Sequence, residues 1–142
     1  MEAGLSLAAA VADALSRQEY VIDIFAAGPN LYHFQAGRSL AYLDNILDIL
    51  ACIEPCPESP FARIAPALME EIGQISTAVM VFLDWNEERE SFVRSLRAVG
   101  VAVKVVVVRT DPPRFDPTGF VTEAGPVQVF TPGEVESGIG RL

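Results

Sequence analysis

The stretch from Thr77 to Val108, TAVMVFLDWNEERESFVRSLRAVGVAVKVVVV, decides the fold. Thr77 to Leu83 is apolar on successive residues, the mark of a strand covered on both faces. Asp84 ends that run. With Glu87 three residues on, it has the spacing of a capping box for a helix over 85–99. Phe92, Val93 and Leu96 supply the buried face of that helix, and Gly100 is its stop signal. Val101 to Val108 is a second buried-strand run, interrupted only by Lys104. Strand, helix and strand within about 30 residues form a βαβ unit, so 77–83 and 101–108 are expected to be adjacent and parallel.

Upstream, Leu5, Ala8, Val11, Ala12 and Leu15 recur at helical spacing, which predicts an opening helix over 3–17. Tyr20 to Ala27 (YVIDIFAA) and Leu31 to Phe34 (LYHF) flank Gly28-Pro29-Asn30 and predict an antiparallel hairpin. Ser39 is placed to cap a helix whose Leu40, Leu43, Ile46, Leu47 and Leu50 form one stripe ending near Pro55. Ser59-Pro60 repeats the start signal for a third helix carrying Phe61, Ile64, Leu68, Met69 and Ile72. Pro66 lies inside that pattern and predicts a kink or a later start, because proline lacks the N–H and clashes one turn back.

Downstream, the stretch 110–126 is rich in proline and predicts a surface loop. Val127 to Phe130 is a short strand. Thr131-Pro132-Gly133-Glu134 is a capping box for a last helix seated by Val135, Ile139 and Leu142. The elements together predict an α/β fold of three layers, αβα, with a mostly parallel sheet and an antiparallel edge hairpin. The 142 residues are the size of a single domain spanning 1–142.

Composition narrows the function classes. Hydrophobic residues make up 51% and charged residues 20%, which favours extensive burial over disorder. Nineteen acidic residues against ten basic ones give a formal net charge of -9, a field that repels a phosphate backbone, so nucleic acid is not an expected partner. Lys104 is the one lysine and no basic cluster occurs, so contact with an anionic membrane is not expected either. No apolar run reaches the ~18–20 residues of a membrane span, and Glu2 stands where a secretory signal carries positive charge, which predicts a cytoplasmic location. Cys52 and Cys56 have no second pair and no neighbouring histidine, the pattern of reduced cysteines near a helix end.

Catalytic signatures are missing: no glycine-rich phosphate loop, no paired histidines, no nucleophile elbow. His33, the one histidine, falls in a predicted strand between Tyr32 and Phe34 and is expected to be structural or half-exposed. Asp84 stands at the carboxyl end of a buried strand, where open α/β sheets bind ligands, although its capping position already explains it. Trp85, Arg109, Thr110 and Asp111 lie at the same strand ends, and Asp84, Trp85, Arg109 and Asp111 are the expected rim of a small polar crevice.

The segments SLAAAVADALSRQ, YVIDIFAAG, LDILACIEPCPESPFARIAPAL, VMVFLDW and EERESFVRSLRAVGVAVKVVVV together resemble the von Willebrand factor A-like (Rossmann-like) part of the bacterial "domain of unknown function 58" family, over residues 4 to 109. The resemblance implies an adaptor or chaperone-like role with a MoxR-type AAA ATPase, and no enzymatic activity. It further implies the C-terminal part of a longer protein. Von Willebrand A domains often hold a divalent metal through an Asp-x-Ser-x-Ser motif, a threonine and an aspartate. Only the aspartate carries over, as Asp84, while Glu58-Ser59-Pro60 stands in the threonine loop, so Asp84 and Ser59 are weak metal candidates and no metal or other cofactor is expected.

The leading expectation is therefore a non-enzymatic protein-interaction domain. The alternatives are a small metal-dependent hydrolase or phosphoryl-transfer domain using Asp84 with Asp111, and a structural part of a larger membrane-anchored protein. In the fold implied by the resemblance, a central strand separates those matching 20–27 and 77–83, and this sequence does not contain it. Buried backbone groups without partners are too costly to persist, so either the two strands slide together or a second copy covers the open edges, and the homodimer is the expectation, because sliding would also disturb the helices above and below.

Overall fold

A computed structural model describes residues 1–18, 20–36, 41–113 and 115–140. They gather into two compact units, Leu5–Glu70 in one and Met1–Gly4 with Glu71–Leu142 in the other. The expected Ser39 cap, with Leu40 of the second helix and Leu142 of the last, lies outside the described residues.

The first unit contains most of helix α1 (Glu2–Ser16), a hairpin of β1 (Ile22–Ala27) and β2 (Leu31–Ala36), α2 (Ala41–Ala51) and all but the last residue of α3 (Phe61–Glu71). The hairpin is antiparallel, with Ile24 opposite Phe34 and Ala26 opposite Tyr32. Alternation puts Ile22, Ile24, Ala26, Tyr32 and Phe34 on one face, and these pack on a core of Ala12, Ile46 and Leu50 from the helices and Ile53 from the loop after α2. The stripe predicted for α2 thus buries Ile46 and Leu50, but Leu47 is exposed. Gly28 makes the turn possible by close approach: a Cβ there would stand 2.4 Å from the Glu54 carbonyl oxygen. Helix α3 begins at Phe61 rather than after Pro66 and runs with Pro66 inside it.

In the second unit, β3 (Thr77–Phe82), α4 (Glu87–Ala98) and β4 (Ala102–Val108) form the expected crossover. β3 and β4 are parallel from Thr77 opposite Ala102 to Phe82 opposite Val107. β7 (Gln128–Phe130) adds a third parallel strand, giving the order β3-β4-β7. Between them β5 (Val121–Thr122) and β6 (Gly125–Pro126) form a small antiparallel pair, and α5 (Pro132–Glu136) closes the chain with the predicted Thr131–Glu134 capping box. Helix α4 packs on one face of this sheet, against β4. On the face of Val81 and Leu83 lies the first turn of α1, where a Cβ on Gly4 would stand 2.8 Å from Leu83 Cδ2. On the opposite face the Arg89 guanidinium of α4 lies over the Phe82 ring.

Two expectations about the sheet are corrected. Among the described residues the hairpin is not an edge of the parallel sheet: β1 and β2 form a two-stranded sheet of their own and pack on a separate core. Nor is β3 buried on both faces. Val103, Val105, Val106 and Val107 make β4 the fully buried centre, whereas β3 is an edge strand whose Val79 is 38% exposed. A continuous apolar run does not by itself distinguish an edge strand from a central one.

Candidate functional site

The carboxyl ends of β3 and β4 bring Asp84 and Arg109 together. The parallel register pairs Phe82 with Val107, so the residues two further on meet as well. Arg109 Nη1 donates to Asp84 Oδ1, and the two side chains are only 21% and 14% exposed. Asp84 Oδ1 also accepts from the Trp85 backbone N–H at 2.8 Å. Arg109 is held in turn by its own backbone, whose N–H donates to the Phe130 carbonyl of β7 at 3.0 Å. A carboxylate so engaged ties the two strand ends together, and removing it would strand a part-buried guanidinium.

The capping role expected of Asp84 is overturned. Asn86 is the N-cap of α4, with an extended backbone at φ -155° and ψ 176°, and its side chain accepts from the Arg89 N–H at 3.0 Å. The helix begins at Glu87, not 85, which leaves Asp84 too early in the chain to reach the orphan donors of the first turn. Glu87, Glu88 and Glu90 occupy that turn, where negative charge is favoured by the helix dipole.

Trp85 is not a rim residue either. It is fully buried, with its ring 6.2 Å from Phe82 and 5.2 Å from Phe120, both tilted. Its carbonyl accepts from Phe115 N–H at 3.2 Å, which ties the loop after β4 to the strand ends. The indole Nε1 and the Arg109 Nε are buried with no hydrogen-bond partner among the described residues. Thr110 and Asp111 are exposed beyond β4. Of the four expected rim residues, Asp84 and Arg109 therefore meet, Trp85 lies beneath them in the core, and Asp111 stands outside.

A divalent cation does not fit these residues. The one carried-over ligand, Asp84, faces a guanidinium, and no group of three or more His, Cys, Asp or Glu able to hold a metal occurs among the described residues. Ser59 belongs to the other unit, where its Oγ accepts from the Phe61 N–H at 3.5 Å at the start of α3. In that unit His33 stacks on its cross-strand partner Phe25, with ring centroids 4.1 Å apart, and its Nε2 lies 3.3 Å from Asp23 Oδ1. Cys52 and Cys56 are free.

Sequence reasoning missed one polar cluster outright. Arg97 of α4 makes a two-pronged pair with Glu123, at 2.8–3.0 Å, and Arg94 lies 4.9 Å over the Phe120 ring. Arg94 and Arg97 are three apart on one helix face, the signal that could have marked them, but their partners come from the proline-rich stretch read only as a loop. The hydrogen bond from Arg97 holds the Glu123 carboxyl below its ordinary value.

No protein-family model, no curated protein and no solved structure matches this chain.

Proposed function

We propose that this chain is a non-enzymatic protein-interaction domain, von Willebrand factor A-like, of the "domain of unknown function 58" kind, serving as an adaptor for a MoxR-type AAA ATPase in the cytoplasm. The observation that carries the reading is the state of Asp84. The strand-end carboxylate that would serve a metal or a reaction is committed to Arg109 and to the Trp85 backbone. A three-stranded parallel sheet joined by a helical crossover is compatible with the fold assignment, and the segments quoted from residues 4 to 109 support the family. The net charge of -9 suits a protein partner with basic surface and disfavours nucleic acid. Among the described residues no helix is long and apolar enough to cross a membrane. Co-purification of the tagged chain with MoxR-type ATPases tests the proposal. Retention of a cognate ATPase that is weakened by salt is the expected result, and loss of every candidate during washing would overturn it.

A further inference from the structure

β4 and β7 are joined by residues 109–127, a connection longer than the roughly 12–15 residues beyond which a loop usually carries a function. Its described residues form only the two-residue strands β5 and β6. The stretch from Phe115 to Pro126 folds largely on itself. Thr118 N–H donates to Asp116 Oδ1 at 2.9 Å, Phe120 N–H to the Pro117 carbonyl at 2.9 Å and the Thr122 hydroxyl to the Gly125 carbonyl at 2.9 Å, while Val121 pairs with Pro126. To the rest of its unit the stretch is fastened by the Phe115 N–H on the Trp85 carbonyl at 3.2 Å and by the Phe120 ring 5.2 Å from that of Trp85. Lys104 Nζ donates to the Ala124 carbonyl at 3.3 Å, and Arg97 makes its two-pronged pair with Glu123. Arg94 and Arg97 lie over the same Phe120 ring, 4.9 and 5.9 Å from its centroid.

We infer that the stretch from Phe115 to Pro126 is a strap that opens as a unit while the parallel sheet stays folded, with the Arg97–Glu123 pair as its latch and Trp85 as the group it uncovers. Weak forces hold it shut. Closing it buries Phe120, which is 5% exposed, against Trp85. The latch adds little, since its two side chains are 28% and 52% exposed and water screens such a pair. Against closure stand the chain entropy of a long loop and the indole Nε1 of Trp85, which is buried without a hydrogen-bond partner among the described residues. Opening gives that donor to water. β4 has no such release, because Val103, Val105, Val106 and Val107 are fully buried in a strand paired on both sides, by β3 and β7. Opening therefore bares an aromatic pair, Trp85 and Phe120, near the carboxyl ends of the parallel strands, where open α/β sheets receive ligands. The inference stands whether or not the chain serves an ATPase.

Native-state hydrogen exchange on the full chain, followed by NMR, tests it through the indole Nε1 proton of Trp85, the one tryptophan, beside the backbone amides of Val105, Val106 and Val107. The expected result is an indole proton at least about tenfold less protected than those amides, with an exchange rate that barely responds to low urea, because a local opening exposes little surface. Glu123→Gln and Arg97→Gln, with circular dichroism as the control for folding, should each speed that exchange by about two- to fivefold, the effect of losing an exposed pair. If one variant fails to fold, the other gives the answer. An indole proton as protected as the β4 amides, with the same dependence on urea, overturns the inference, because Trp85 is then uncovered only when the sheet itself unfolds. An indole proton that exchanges early but at a rate unchanged in the folded variants overturns it as well, because the pair is then no latch.

Discussion

Asp84 joins the end of β3 to the end of β4 through one ion pair, and single substitutions there separate a structural role from a capping one. Asp84→Ala leaves the Arg109 guanidinium part-buried without its carboxylate and is expected to cost about 1–3 kcal/mol in urea denaturation. Arg109→Ala added to it should cost less than the two single losses combined, because both remove the same interaction. Additivity within error would show that the pair contributes nothing. Asn86→Ala removes the N-cap of α4 and should cost about 0.5–2 kcal/mol, independently of Arg109. A sequence holding Asp84, Asn86 and Glu87 offers two residues able to cap, and only the position of Arg109 decides between them. That position is a consequence of strand register, which lies beyond the local pattern.

At the scale of elements, the parallel βαβ unit was legible because Thr77 to Leu83 and Val101 to Val108 are short, β-branched apolar runs, and the residues between them have the period of a helix closed by Gly100. The hairpin was legible too, from Gly28-Pro29-Asn30 between two β-rich runs. What local pattern could not contain was which strand lies at the edge and whether hairpin and sheet share a ladder, since strand order depends on contacts distant in sequence. Two substitutions test the elements as described. Gly28→Ala forces a Cβ against the Glu54 carbonyl, a backbone atom that cannot step aside cheaply, and should lower stability by about 1–3 kcal/mol. Pro66→Ala restores a backbone donor inside α3 and should raise stability by about 1–3 kcal/mol, read from the denaturation midpoint. A neutral result for Pro66→Ala would mean that α3 does not continue through that position.

For the whole molecule, three carboxyl groups link stability to pH. The Glu123 carboxyl is held low by Arg97, Asp116 by the Thr118 hydroxyl and backbone N–H, and Glu134 by the Thr131 backbone N–H and hydroxyl. A carboxylate whose folded-state value is lowered contributes stability that is fully present above its unfolded value and is lost as pH falls through the lowered one. Stability with respect to these groups should therefore be level from neutral pH down to about pH 5 and decline below about pH 4, and Glu123→Gln should make that decline shallower. An identical acid profile for wild type and Glu123→Gln would remove the Arg97 pair from the account. The same negative charge that must be protonated for acid unfolding is what a basic partner surface would meet at neutral pH. Isothermal titration of the full chain with a purified MoxR-type AAA ATPase reads that encounter directly. The proposal predicts saturable binding in the micromolar range or tighter that weakens with salt, and a flat titration with every cognate candidate would contradict it.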